Sequence, residues 1–195
     1  MNNKLAYGIA VVSLSGVLVA PVQAEGNYYL TLGAGTTEAD DTCDELDDLG
    51  FAGSCDDTDV GWKIAAGYQF NQYFGAELFY SDIGEADAEG VIGATAVTAD
   101  VDIDGFGLAL TGAVPLGEKF SLIGRVGIYS WDADGSGSVA AATVSADDDG
   151  TDMVYGIGGQ YDFTDRLGLR IEWEHYDDVA DDDLEMISAS VVFSF

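Results

Sequence analysis

Apolar and polar residues alternate with a period of two along eight stretches of the chain. In residues 60–70, the even positions Trp62, Ile64 and Tyr68 are apolar or aromatic, whereas the odd positions include Lys63 and Gly67. Successive side chains of a β-strand point to opposite faces, so this pattern predicts strands and no helices. The eight predicted strands are centred on residues 28–34, 60–70, 74–81, 101–110, 120–128, 153–163, 167–173 and 187–195.

The fourth predicted strand changes phase. Val101 and Ile103 are apolar at odd positions, whereas Phe106 and Leu108 are apolar at even ones. A bulge near residues 104–105 would return the apolar residues to one face, and glycine is common at such positions.

The two faces of the predicted strands differ in size and charge. One face carries bulky apolar residues, and the other carries glycine, glutamine and ionised side chains. A soluble carrier of the lipocalin type would place its apolar face around an internal cavity, but glycines and charges cannot line such a cavity. They suit the narrow polar lumen of an eight-stranded membrane barrel whose bulky face meets lipid. We therefore expect an all-β, antiparallel, up-and-down transmembrane β-barrel of eight strands.

The connections between these strands alternate in length. Three are short, at residues 71–72, 115–119 and 164–166, and four are long, at about residues 36–59, 82–100, 132–152 and 177–184. Bacterial barrels have short periplasmic turns and longer extracellular loops. Aromatic residues cluster near both ends of the predicted strands, as expected at the two membrane interfaces.

The first 24 residues have the pattern of a secretory signal peptide. Lys4 precedes an apolar run over residues 5–20, and Ala24 offers a small residue for cleavage. We expect residues 1–24 to be removed on export and residues 25–195 to form one barrel domain. A membrane-anchoring helix is the alternative for this segment.

The chain has a formal net charge of −30, with 36 acidic and 6 basic residues. Such a charge excludes nucleic acid as a partner, because binding phosphates requires Lys and Arg on one surface. Of the acidic residues, 29 fall within residues 36–59, 81–104, 132–152 and 177–185, which contain no Lys or Arg. The loops are thus either solvated, mutually repelling surfaces or weak binding sites for divalent cations, which could be shared with lipopolysaccharide phosphates. No other cofactor is indicated.

The polar face carries three basic and three acidic side chains, and their parity directs all six into the lumen. They are Lys63, Glu77, Arg125, Arg170, Glu172 and Glu174. Unpaired charges in a narrow interior are costly, so we predict an ion-pair network that closes the pore and stabilises the fold.

Little else in the sequence suggests chemistry. Cys43 and Cys55 both fall in the first long loop, and an exported chain with two cysteines is expected to form a disulfide. His175, the single histidine, has the parity of the lipid face and is expected to be structural. No catalytic residues, metal ligands or cofactor-binding residues stand out, so we expect no enzyme.

Five segments of the predicted strands carry a family resemblance, at residues 61–70, 74–84, 155–163, 167–174 and 187–195. They resemble the OmpA-like transmembrane domain of bacterial outer-membrane proteins, and the resemblance covers nearly all of the chain after residue 24. In that family a terminal aromatic residue preceded by alternating apolar residues is the signal for the outer-membrane insertion machinery, which implies this role for Val191, Phe193 and Phe195. The family also implies lumenal pairs such as Arg170 with Glu77 or Lys63 with Glu172. Because the sequence stops at its last predicted strand, we do not expect the peptidoglycan-binding domain of that family.

The sequence thus favours a monomeric outer-membrane barrel with a structural or surface-interaction role, in contact with membrane lipids and lipopolysaccharide. An adhesin or complement-evasion protein is the first alternative. A membrane-embedded lipid-modifying enzyme and a narrow channel are the others.

Overall fold

Nine β-strands make up the regular structure in a computed structural model that describes residues 26–39, 51–56, 58–92, 95–139, 142–180 and 182–195. Within these ranges, no helix is long and apolar enough to span a membrane. The strands are β1 (Asn27–Ala39), β2 (Phe51–Asp56), β3 (Thr58–Gln69), β4 (Phe74–Ile92), β5 (Thr95–Pro115), β6 (Phe120–Val139), β7 (Ala142–Thr164), β8 (Leu167–Val179) and β9 (Asp182–Ser194).

Eight of these strands close into a barrel. Every strand from β3 to β8 pairs antiparallel with the next strand in the sequence, and β1 pairs with both β3 and β9. This arrangement confirms the predicted up-and-down barrel. The ninth strand, β2, belongs to the same sheet and pairs with Asp87–Ile92 of β4, beyond the pair Trp62 and Asp82 at which the β3–β4 ladder ends. The prediction missed it because residues 51–56 lie inside the first long connection and lack a regular apolar alternation.

Three of the predicted long loops, at about residues 82–100, 132–152 and 177–184, are wrong in detail, because the strands continue through them. In the last of these, β8 runs to Val179 and β9 begins at Asp182. The β4–β5 ladder extends to the pair Ile92 and Thr95, and the β6–β7 ladder extends to the pair Val139 and Ala142. The residues added to these ladders include many Val and Thr, which favour extended backbone, between the aspartates. The sequence does not alternate in these extensions, because neither side of them contacts lipid and no bulky apolar face is required.

The predicted bulge at residues 104–105 is also wrong in position. The irregularity lies on the neighbouring strand, where β4 contributes one extra residue, Ile83, between the pairs Asp82–Asp104 and Gly84–Ile103. Strand β5 itself pairs with β6 without interruption. Ile103 packs against the buried apolar cluster of the lumen, so its odd parity is that of an inward residue. Apolar residues therefore move from even to odd positions along β5 because the lumen becomes apolar near Ile103, and not because the strand has a bulge.

The three short connections agree with the prediction and define one end of the barrel, called the short-turn end below. In the first, the side-chain Oδ1 of Asn71 accepts hydrogen bonds from the backbone N–H groups of Tyr73 and Phe74. The start of β1 and the end of β9 lie here too, because the N–H of Phe195 donates to the carbonyl of Tyr28 at 3.0 Å. The opposite end is called the long-loop end.

Candidate functional site

The bulky face of the barrel points outward. Large apolar side chains such as Leu32, Leu108 and Ile157 are among the most exposed residues, with 67% of Ile157 accessible. The charged residues of the opposite face are buried, and Lys63 is only 1% accessible. An outer surface this apolar cannot face water over such an area, so the structure has the polarity of a membrane barrel.

Outward aromatic residues form two bands, one near each end of the strands. At the short-turn end Tyr28 contacts Tyr68, with ring centroids 4.8 Å apart. Toward the long-loop end, Tyr80 contacts both Trp62 at 5.3 Å and Phe106 at 4.9 Å. Two such bands mark the levels of the two membrane interfaces.

The structure brings together all six charged residues that the sequence assigns to the lumen. Strand β8 supplies Arg170, Glu172 and Glu174, since every second residue of a strand shares a face. Lys63 comes from β3, Glu77 from β4 and Arg125 from β6, so four strands contribute to the group. Their side chains are at most 5% exposed. We call these six residues the charged ring.

Within the charged ring each cation lies between two carboxylates. Lys63 Nζ donates to Glu172 Oε2 at 2.8 Å and also to Glu174. Arg125 Nη1 is 2.5 Å from Glu174 Oε1 and 3.9 Å from Glu77 Oε2. 

Arg170, the third cation of the charged ring, also lies between two carboxylates. Its Nη1 is 2.6 Å from Glu77 Oε1 and 3.9 Å from Glu172 Oε1. Positive and negative groups therefore alternate around a closed circuit whose formal charge is zero. The two pairs that the family resemblance implied, Arg170 with Glu77 and Lys63 with Glu172, are both direct contacts.

Neutral side chains on the short-turn side form hydrogen bonds with the charged ring. Tyr29 donates from its hydroxyl to Glu77 Oε1 at 2.8 Å, and Arg170 Nε donates to Gln160 Oε1 at 3.0 Å. The guanidinium carbon of Arg170 also lies 5.4 Å from the centre of the Tyr29 ring. Beyond these residues a cavity of about 360 Å³ opens at the short-turn end.

An aromatic layer fills the lumen on the long-loop side of the ring. It consists of Phe79, Tyr129, Trp131 and Tyr176, which are buried in one apolar cluster. Tyr129 is stacked on Phe79 at 5.9 Å and makes an edge contact with Tyr176 at 5.0 Å. The two layers touch, because the Arg125 guanidinium carbon lies 4.3 Å from the centre of the Phe79 ring.

Inward glycines make room for the large lumenal rings. A Cβ on Gly107 would lie 2.0 Å from Cζ of Phe79, and one on Gly67 would lie 2.1 Å from Cζ of Tyr29. These distances are far inside van der Waals contact, so the rings occupy the space that a side chain would take. Gly67 and Gly107 therefore make room for lumenal aromatic rings, whereas Gly156 and Gly158 lie against the side chains of Glu174 and Glu172.

Sequence reasoning did not single out Tyr29 or the aromatic layer, and it assigned Gln160 to the polar face without giving it a role. The available signal was the odd or even position along the strand: Tyr129 and Trp131 share it with Arg125, and Tyr176 shares it with Glu174.

The remaining predicted sites are not part of the charged ring or the aromatic layer. Cys43 lies outside the described residues, as does the side chain of Cys55, and the signal segment 1–24 is also outside them. Val191, Phe193 and Phe195 are exposed on the outer face of β9 and at its end.

Aspartates form rows across the outer surface of the long-loop end. Asp82, Asp104, Asp132 and Asp149 are direct cross-strand neighbours over β4, β5, β6 and β7. Like charges placed opposite one another destabilise a sheet unless solvent, salt or bound cations screen them. Cation binding by these carboxylates stays a prediction.

The family model described as "Outer membrane protein beta-barrel domain" matches residues 8–195. The chain belongs to this family. Its place is accordingly the bacterial outer membrane, in agreement with the lipid-facing surface and the closed barrel described above.

Named relatives and solved structures agree with this family. Outer membrane protein A of Yersinia pseudotuberculosis is 26% identical over 181 residues, which cover 91% of this chain and 49% of that protein. This chain spans about half the length of the curated relatives it matches.

Two solved barrels show the same fold at low identity. Ail, the attachment invasion locus protein of Yersinia pestis, in complex with the heparin analogue sucrose octasulfate, is 15% identical with a TM-score of 0.58, over 88% of this chain and 99% of that one. OprG of Pseudomonas aeruginosa is 14% identical with a TM-score of 0.58, over 86% of this chain and 96% of that one.

Proposed function

We propose that this protein is a non-enzymatic outer-membrane barrel that acts through its extracellular surface, while its lumen is sealed. The observation that carries this proposal is the charged ring. Six side chains from four strands, none more than 5% exposed, meet across the lumen, and the aromatic layer covers them on one side. A solute would have to break several buried ion pairs and displace the rings to pass.

Planar-bilayer conductance tests the seal. We expect the purified barrel to show no sustained conductance, because both layers fill the cross-section. A variant with both Glu77→Ala and Glu174→Ala, checked for folding by heat-modifiable gel mobility, should conduct more often than the parent. Steady porin-like conductance of the parent would contradict the sealed lumen.

The remaining features of the proposal concern export, assembly and contacts. Residues 1–24 act as the export signal, and the monomeric barrel of residues 25–195 contacts outer-membrane lipids and lipopolysaccharide. Val191, Phe193 and Phe195 serve as the signal to the insertion machinery, and their outward exposure at the last strand supports this role. The disulfide between Cys43 and Cys55 belongs to the same set of proposals.

An adhesin or complement-evasion role is the second candidate. It is favoured by the ladders β4–β5 and β6–β7, which continue beyond the outer aromatic band and present an extended surface, and by the shared fold with Ail. The acidic outer segments have no basic residue for a sulfated sugar, so the partner should be basic or cation-bridged. Host-cell binding by deletion and complemented strains tests this role. Equal binding by the two strains would contradict it.

A further inference from the structure

The only histidine of the chain lies among carboxylates at the long-loop end of the β8–β9 hairpin. One ligand atom from each of His175, Asp177 and Asp183 falls within 4.8 Å of the others. A register shift between Tyr176 and Val179 shapes this end of the hairpin. The three residues take no part in the charged ring or the aromatic layer.

His175 is largely buried, and within the described part of the chain its ring nitrogens make long ion pairs but no hydrogen bond. The residue is 8% exposed, and its ring packs against those of Tyr155 at 4.9 Å and Trp173 at 6.1 Å. Among the residues that the structure describes, the nearest carboxylate oxygens to its two nitrogens are both 3.8 Å away, beyond hydrogen-bonding distance. No side chain of the described residues therefore occupies a hydrogen-bonding position at either ring nitrogen.

The surrounding carboxylates are oriented toward the imidazole. Asp183 Oδ1 accepts a hydrogen bond from the N–H of Asp178 at 3.0 Å, which leaves Oδ2 facing His175 Nε2. Glu185 Oε2 accepts one from Trp173 Nε1 at 3.0 Å, which leaves Oε1 facing His175 Nδ1. Each carboxylate thus keeps one oxygen directed at one ring nitrogen.

We propose that His175 Nε2, Asp177 and Asp183 bind a divalent transition-metal ion of the Zn²⁺ class at the cell surface. Imidazole and carboxylate are both ligands of zinc, and three protein ligands leave one position for water or an external ligand. Glu185 orients the imidazole through Nδ1, as carboxylates do for many metal-binding histidines.

The spacing fits a site that closes slightly around its ion. Tetrahedral zinc with bonds of about 2.0–2.2 Å places its ligand atoms roughly 3.3–3.6 Å apart. The observed 3.8 Å separation of His175 Nε2 and Asp183 Oδ2 is close to that range, and the exposed Asp177 side chain is free to approach. Calcium and magnesium prefer all-oxygen sites, so the histidine selects for the transition metal.

Isothermal titration of ZnCl₂ into the tag-free protein, purified from outer membranes and held in detergent, tests the site. We expect one saturable binding event per chain, weakened at least tenfold in His175→Ala and in Asp183→Asn. The imidazole resonances, which belong to one histidine only, should shift on zinc addition in the parent protein. Glu185→Gln should weaken binding by a smaller factor, because it removes the orienting carboxylate and no ligand.

The matched control is the triple variant Asp147→Asn, Asp148→Asn, Asp149→Asn, which neutralises three exposed carboxylates of β7 without touching the hairpin of β8 and β9. Its zinc affinity should stay within about twofold of the parent. Gel mobility without boiling checks that every variant is folded. Zinc binding that survives His175→Ala, that falls equally in the triple variant, or that is absent from the parent would overturn the proposal. Calcium binding of equal affinity at the same site would overturn it as well.

Discussion

The charged ring and the aromatic layer fill the same tube by opposite means. The charged ring consists of ionised groups that compensate one another, with further hydrogen bonds from Tyr29 and to Gln160, whereas the aromatic layer consists of side chains that pack on each other and on inward glycines. A polar layer in a water-poor lumen is stable only when it is complete, since each unpaired charge keeps its full desolvation penalty. An apolar layer loses stability in proportion to the volume removed.

Glu174 provides the sharpest test of the ring, because it contacts both Lys63 and Arg125. Glu174→Gln keeps the size of the side chain but leaves two cations sharing less negative charge. We expect the free energy of unfolding to fall by about 3–5 kcal/mol, measured by denaturant titration in lipid vesicles. The exposed turn variant Glu118→Gln is the control and should change it by less than about 0.5 kcal/mol. Equal effects of the two variants would contradict a desolvated ring.

Tyr129 tests the aromatic layer in the same assay. Its side chain is fully buried, and its hydroxyl donates to the carbonyl of Ser81 at 3.1 Å. Tyr129→Ala should lower the free energy of unfolding by about 3 kcal/mol through the cavity it leaves. Tyr129→Phe should cost only about 1 kcal/mol, because it removes one hydrogen bond and keeps the packing. A larger cost for the phenylalanine variant would mean that this layer depends on polar contacts after all.

Substitution of Gly107, which lies against the Phe79 ring, should change the free energy of unfolding least of the three. Gly107→Ala displaces the Phe79 ring, and its Cβ would also lie 2.8 Å from the carbonyl oxygen of Ile128, so it should destabilise the barrel by about 1–3 kcal/mol in the same denaturant titration. Gly112, whose Cβ would meet no atom closer than 3.9 Å, is the matched control. If Gly112→Ala lowers the free energy of unfolding as much as Gly107→Ala does, the loss comes from the restricted backbone and not from the displaced Phe79 side chain.

Parity along the strands was sufficient to predict the barrel and the lumenal charges. Lys63, Arg125 and Glu174 could be assigned to the interior because every second residue of a strand shares a face, whatever its chemistry. The same rule did not reveal which partners meet, since Arg125 of β6 reaches past β7 to Glu174 of β8 through its long side chain. Nor did it show that the interior turns apolar toward the long-loop end, which is why Ile103 was mistaken for the sign of a bulge.

Above the membrane the sequence was less informative. A strand that faces water on both sides has no bulky face to repeat, so the outer parts of β4 to β7 and the short β2 resembled loops. The environment of His175 was also hidden. Its parity correctly gave the outer face, but the burial by Tyr155 and Trp173 depends on neighbours from two strands.

The central claim is that bulky residues meet lipid while the opposite face encloses the lumen, and the three tryptophans test it directly. Trp62 is 41% exposed on the outer face, whereas Trp131 is 5% exposed inside the barrel, where its indole N–H donates to Asp152. Each can be retained alone by changing the other two tryptophans to Phe. In vesicles of lipids brominated along their acyl chains, the account predicts strong quenching of the Trp62 fluorescence and little quenching of Trp131. Quenching of Trp131 equal to or stronger than that of Trp62 would contradict it.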